Sequence, residues 1–169
     1  PVIRYGDEIG MGDDLSLEGR NSVRTPMQWN SVQNAGFSKA ASSKRVIDEG
    51  MFDYKKVNVL DAQSKSDSLL NWIERLISIR KQCPEIGTGK LHMIENPDES
   101  LFIHHFESEH GDLWFVHNFS GKTISFDYGH LTGNTKRWVD VFGSREIDHR
   151  ESTIQIAGYG FHWWRAINE

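Results

Sequence analysis

Residues 89–128 read GKLHMIENPDESLFIHHFESEHGDLWFVHNFSGKTISFDY, and their punctuation decides the fold class. Apolar and aromatic runs, Lys90 to Ile94, Leu101 to Glu107, Leu113 to Phe119 and Thr123 to Tyr128, alternate with Asn96-Pro97-Asp98, His110-Gly111-Asp112 and Ser120-Gly121-Lys122. The interrupting residues fix φ, tolerate positive φ or bond their own backbone, which is what turns demand. Their spacing is close to that of hairpins. The pattern continues through Arg137 to Phe142, Thr153 to Ile156 and Phe161 to Ile167, with Gly133-Asn134 and Gly143-Ser144 among the breaks. An antiparallel β-sandwich over residues 89–169 follows.

Immediately upstream lies the one clear helix. Leu69, Ile73, Leu76, Ile77 and Arg80 recur at i, i+4, i+7, i+8 and i+11, with Leu70 widening the stripe, as on an amphipathic helix. Ser66 or Asp67 caps its start, Arg80 and Lys81 suit the negative end of its dipole, and Pro84 forbids continuation. The spacing predicts a helix over about residues 67–82. Residues 1–65 differ: one β-like run, Val2 to Tyr5, then Gly, Asp, Ser and Asn with little periodicity until Met51 to Leu60. A loop this long belongs to something larger or to a site.

Composition sets the bounds. The 169 residues allow one domain or one and a half, and 37% hydrophobic residues with six Trp are enough for a packed core. A net charge of −5 leaves no basic stripe for phosphates, so no nucleic-acid partner is expected. No apolar run approaches the ~18 residues needed to span a membrane, and no segment resembles a signal peptide. The single cysteine, Cys83, makes no internal disulfide, which fits a reducing, cytoplasmic setting. The chain starts at Pro1 inside the apolar run Pro1-Val2-Ile3-Arg4-Tyr5, which reads as a strand cut open and hence as a fragment.

Most chemistry-bearing residues have a plain structural reading. Asp7-Glu8 is a carboxylate pair, but neighbours in an extended chain point opposite ways and cannot flank one bond; a cap or ion pair is the reading. Asp13-Asp14 reads as a solvated acidic turn. His104 and His105 face opposite sides of a strand, and His92, His110, His117, His130, His149 and His162 show no ligand spacing, so no metal site is expected. Cys83 reads as an inert small hydrophobe. Gly6, Gly10 and Gly12 have the wrong spacing for a dinucleotide or phosphate loop, so no cofactor is expected. Trp29, Trp138, Trp163 and Trp164 are sugar-platform candidates, with core packing as the rival reading for each. The strongest single candidate is Arg24 in Val23-Arg24-Thr25-Pro26-Met27-Gln28-Trp29, a fork on a Pro-stiffened segment able to grip hydroxyls or a carboxylate. A surface ion pair is its alternative.

Arg4-Tyr5-Gly6-Asp7-Glu8-Ile9-Gly10-Met11 and Arg24-Thr25-Pro26-Met27-Gln28-Trp29, followed by Asn34-Ala35-Gly36-Phe37, resemble the end of the catalytic barrel in the α-amylase superfamily, glycoside hydrolase family 13. The hexapeptide resembles the branch that contains oligo-1,6-glucosidases and trehalose synthases. Gly10-Met11-Gly12-Asp13-Asp14-Leu15 and Leu69-Leu70-Asn71-Trp72-Ile73-Glu74-Arg75-Leu76-Ile77 tilt the resemblance towards the latter. Beyond about residue 90 it is carried only by the strand pattern and Gly158-Tyr159-Gly160-Phe161-His162-Trp163-Trp164-Arg165.

The resemblance implies a mainly β chain with one long helix. Residues 1–88 would be the last strand, long loop and last helix of a (β/α)8 barrel, and residues 89–169 the C-terminal antiparallel β-sandwich. It implies an α-glucoside such as maltose or trehalose as the substrate of the full-length enzyme. Arg24 would line the pocket for the non-reducing-end glucose, its aspartate partner lying upstream of Pro1. The family's catalytic carboxylates lie on earlier strands and match no residue here, so this chain alone is expected to be inactive. The uncovered helix stripe and Val2 to Tyr5 would drive self-association or strand exchange. The rivals are an oligo-1,6-glucosidase or α-glucosidase fragment, a free carbohydrate-binding module using Trp138, Trp163 or Trp164, and a structural β-domain.

Overall fold

The alternation read above becomes a ladder of antiparallel strands. The computed structural model describes residues 2–42, 45–96, 98–109, 111–129, 131, 137–143, 145–147 and 152–167. Pro97, His110, His130, Gly133, Asn134, Ser144 and His149, singled out in the sequence, lie outside the described residues. The chain divides into two compact units, the first ending at Ile77 and the second starting at Ser78. The sequence boundary falls at residues 88 and 89; the difference arises because the helix end and the turn after it pack on the sheet of the second unit.

In the first unit, α1 (Val59–Ser64) starts where the Asn58 side chain accepts from the Asp61 N–H at 2.9 Å, a side-chain N-cap. The long helix α2 (Leu69–Lys81), whose residues from Ser78 on count with the second unit, sits inside the predicted span. Ser68 Oγ accepts from Asn71 N at 3.2 Å near its start, and Arg80 and Lys81 occupy its last turn. No residue of α2 is buried. The long loop carries short 3-10 turns at Asp7–Ile9, Gly19–Asn21 and Gln33–Gly36.

The strand expected at Val2 to Tyr5 does not form: the segment makes no ladder with any described strand, and Val2 is 99% exposed. An extended segment becomes a strand only when a neighbour takes its backbone hydrogen bonds, and none of the described strands does.

In the second unit, α3 (Glu85–Thr88) is followed by β1 (Lys90–Ile94), β2 (Leu101–Glu107), β3 (Asp112–Asn118), β4 (Ile124–Asp127), β5 (Arg137–Asp140), β6 (Arg145–Glu146), β7 (Thr153–Ile156) and β8 (Phe161–Ile167). One antiparallel sheet has the order β1-β2-β3-β8-β5-β6, and β4 pairs with β7 in a separate ribbon. The register sets Ile103 opposite Val116 and Trp114 opposite Trp164. Period-two alternation therefore gathers Leu101, Ile103, Trp114, Val116, Trp138, Trp164 and Ala166 on one face. They share a core with Phe126, Tyr128 and Ile156 from the ribbon side.

On the opposite face Leu113 and Phe115 pack with Cys83, Ile86 and Trp163. A salt bridge fixes α3 to β8: Arg165 Nε and Nη2 donate to the two Glu85 carboxylate oxygens, the second at 3.2 Å, and Nη2 also donates to Gln82 O at 2.9 Å. Glu85 is 1% exposed. Burial opposes the charge on Arg165, but the Glu85 carboxylate outweighs it and holds the guanidinium above its ordinary pKa.

Candidate functional site

The hexapeptide around Arg24 is an extended segment clamped on one side and open on the other. Thr25, Met27 and Gln28 are buried, whereas Arg24 and Trp29 are exposed. Gln28 is the anchor: its Nε2 donates to Phe52 O at 3.2 Å and also to Val57 O. Its backbone carbonyl accepts from Val59 N at 3.0 Å, and that of Trp29 from Leu60 N at 3.0 Å. Both donors belong to the first turn of α1, whose N–H groups have no intrahelical partner. The segment thus completes the helix, and the helix holds the segment.

From the other side the Tyr5 hydroxyl donates to Thr25 O at 3.0 Å. The chain then reverses at Gly6, where φ is +93° and an added Cβ would stand 3.0 Å from Met11 Cβ and Sδ. Glycine is required there.

These elements line an open cavity of about 480 Å³ in the first unit, within the range of small-molecule sites. Tyr5, Trp29 and Phe37 give it aromatic walls, Arg24 and Arg45 bring two guanidinium groups, and Glu8 is the one carboxylate lining it among the described residues. Neither arginine has an ion-pair partner among the described residues. Aromatic faces flanked by planar donor forks suit a ring that is apolar above and below and rimmed by hydroxyls.

Asp7-Glu8 lie in a 3-10 turn rather than the extended chain the sequence reading assumed, and their carboxylates accept backbone N–H groups. Glu8 Oε2 accepts from Gly6 N at 2.8 Å and Asp7 Oδ2 from Arg4 N at 2.9 Å. Glycoside cleavage needs two carboxyl groups facing one bond about 5 Å or more apart, and among the described residues the cavity lining holds one carboxylate. Asp14 Oδ1 accepts from Ser16 N at 3.0 Å and Ser16 Oγ at 2.6 Å, an acidic turn.

The remaining candidates go to structure. Trp138 and Trp164 are core residues and cannot be sugar platforms, and Trp163 packs edge-on against Phe115 and Phe142. Trp29 alone of the four is exposed and lines the cavity. His104 and His105 do take opposite faces, stacking on Phe115 and Trp114 respectively. Burial, with His117 and His105 adding smaller contributions, pulls the His104 pKa down to about 4. Cys83 is buried with its thiol pushed up by burial, partly offset by Arg165. No group of three or more His, Cys, Asp or Glu among the described residues is placed to hold a metal.

Sequence reasoning identified Arg24 and Trp29 but missed Tyr5, Phe37 and Arg45 as their neighbours. The available signal was Asn34-Ala35-Gly36, a turn sequence that folds Phe37 back towards Trp29.

With this geometry in hand, comparisons with known proteins agree on one family. The profile for the α-amylase catalytic domain matches residues 1–89. The trehalose synthase/amylase of Mycolicibacterium smegmatis is 31% identical over 98% of this chain and 30% of its own length. A probable oligo-1,6-glucosidase of Bacillus subtilis is 35% identical over 68% of this chain and 20% of its own. Among solved structures, a trehalose-6-phosphate hydrolase of Bacillus licheniformis superposes with a TM-score of 0.75 at 21% identity, covering 97% of this chain and 35% of that one. The chain therefore spans about 30% of the length of the first curated relatives it matches. No helix among the described residues is long and apolar enough to cross a membrane. The matched catalytic-domain profile, which covers more than half of the chain, shows that the chain belongs to the α-amylase family, glycoside hydrolase family 13.

Proposed function

We propose that the chain is the C-terminal part of an enzyme acting on α-glucosides, of the trehalose-synthase kind, interconverting maltose and trehalose by intramolecular glucosyl transfer. In this reading residues 1–88 close the barrel, and residues 89–169 form its C-terminal β-sandwich. The observation that carries it is the cavity itself: Arg24, without an ion-pair partner among the described residues, stands among Tyr5, Trp29 and Phe37.

Arg24 grips hydroxyls of the terminal glucose, and the aromatic walls take its apolar faces. The attacking and protonating carboxylates of a retaining mechanism come from elsewhere in the enzyme. This chain alone then binds maltose without turning it over. Likeness to trehalose synthases over 98% of the chain supports the transferase over a hydrolase. The oligo-1,6-glucosidase reading is favoured by the 35% identity to the Bacillus subtilis protein over a shorter span.

The test is to read the coding DNA upstream of Pro1 and, where it continues in frame, to assay the longer polypeptide with maltose. Trehalose as product supports the proposal, and glucose alone supports the glucosidase. A start codon within a few codons of Pro1 overturns both and leaves a binding or structural β-domain.

A further inference from the structure

Trp29 and Phe37, two of the aromatic walls, are joined by a turn whose backbone is unusual. Asn34 and Ala35 have φ/ψ of 56°/31° and 56°/24°, and Gly36 follows at φ 68°. Three consecutive left-handed residues are rare, and at a Cβ-bearing residue each is sterically costly. Asparagine tolerates the region through local hydrogen bonds, but alanine has no such compensation. Ala35 is also fully buried. Such conformations persist only where the surroundings over-determine them, and they cluster at functional sites.

The surroundings here do over-determine it. The Ala35 carbonyl accepts from both Trp29 N at 2.9 Å and Asn30 N at 3.2 Å, so the turn grips the end of the hexapeptide directly. Phe37 N donates to Asn34 O at 3.0 Å, and Asn34 Nδ2 donates to Ser38 O at 3.2 Å and Ala40 O at 2.7 Å. A Cβ on Gly36 would stand 2.5 Å from the Asn30 side-chain amide, so the turn and the segment it grips are in close contact. Both aromatic side chains remain about half exposed, 49% for Trp29 and 55% for Phe37, and face the same cavity.

We propose that the left-handed run Asn34–Gly36 is a positioning element, in which the Ala35 carbonyl fixes Trp29 and the Asn34 carbonyl fixes Phe37 as a rigid pair of walls for a pyranose ring, the Asn34 side-chain amide bracing the turn against Ser38 and Ala40. This rests on the reading that the cavity takes an α-glucoside. Its physical role is preorganisation: walls already in place need not be ordered when sugar binds.

The test uses the full chain labelled with 5-fluorotryptophan and followed by 19F NMR. Six resonances are expected from the six Trp, with that of Trp29 assigned from the Trp29→Phe variant. In the unaltered chain the Trp29 line is narrow and displaced from that of the free amino acid. Asn34→Ala removes the two side-chain bonds that brace the turn, and Ala35→Gly keeps the carbonyl but frees the backbone that aims it at Trp29. Both should broaden the Trp29 line or move it towards the free position while the other five lines stay. The maltose concentration at half-saturation should rise about tenfold.

Ala35→Gly should do this with no loss of thermal stability, an outcome that a merely structural role does not produce. Unchanged Trp29 lines and half-saturation in both variants overturn the proposal. If Asn34→Ala disturbs all six lines, Ala35→Gly alone decides by the same criteria. If maltose leaves every line of the unaltered chain in place, the α-glucoside reading fails, while the Trp29 line in the variants still decides the positioning claim.

Discussion

Replacing Glu85 by alanine removes a buried carboxylate from beneath Arg165, and the structure sets how much that should cost. The glutamate side chain is 1% exposed and the arginine side chain 28%. Breaking a buried pair by deleting one partner costs about 3–5 kcal/mol, because the remaining charge is left uncompensated. Here Arg165 keeps its bond to Gln82 O and reaches water, which points to the lower end, about 3 kcal/mol. For a unit of ~90 residues, 1 kcal/mol moves the midpoint by about 4–8 °C, so Glu85→Ala should lower Tm by roughly 12–24 °C. The paired change Glu85→Met with Arg165→Met should fall within about 1 kcal/mol of the unaltered chain, since buried ion pairs exchange for apolar side chains at little net cost. Calorimetric melts at neutral pH, with denaturant titrations to check two-state behaviour, give all three numbers. A loss below ~1 kcal/mol for Glu85→Ala, or a double variant as unstable as the single one, would refute the reasoning.

Acid should loosen the second unit through His104. Its folded pKa lies near 4, below the ordinary 6.5, so the unfolded chain binds the proton first; stability is full above about pH 6.5 and falls between 6.5 and 4. The loss should be about 1–2 kcal/mol after allowing for partial solvation, and His104→Phe should flatten that part of the profile in melts against pH. Cys83, buried with a raised pKa, should resist a thiol reagent at pH 8 until the second unit opens, so its labelling rate should follow denaturant unfolding. The stripe on α2 leaves Leu69 and Ile77 45% and 40% exposed, which predicts concentration-dependent association in sedimentation velocity, abolished by Leu69→Lys with Ile77→Lys.

What could be read from the sequence was whatever is encoded locally. Lys90 to Ile94, Leu101 to Glu107, Thr153 to Ile156 and Phe161 to Ile167 become strands with those bounds, because turn residues and alternation lie within the runs themselves. The two-residue β6, α1 and the four-residue α3 were not anticipated, being too short to show a period. The insertion of β8 between β3 and β5 depends on partners far apart in the chain, as does the bridge between Glu85 and Arg165. Val2 to Tyr5 shows the converse, a β-like run without a ladder. In the candidate site, Arg24 was legible from its motif, whereas Tyr5, Phe37 and Arg45 join it only through three-dimensional closure.

The most direct test of the central claim is calorimetric titration of the chain with maltose, repeated on Arg24→Ala and Arg24→Lys. The account predicts saturable heat with one site and no glucose or trehalose in the cell afterwards. Binding should weaken by at least about tenfold in Arg24→Ala and be only partly restored by lysine, which lacks the planar fork. Equal heats in all three proteins, or none in any, would contradict the claim that the cavity around Arg24 holds an α-glucoside.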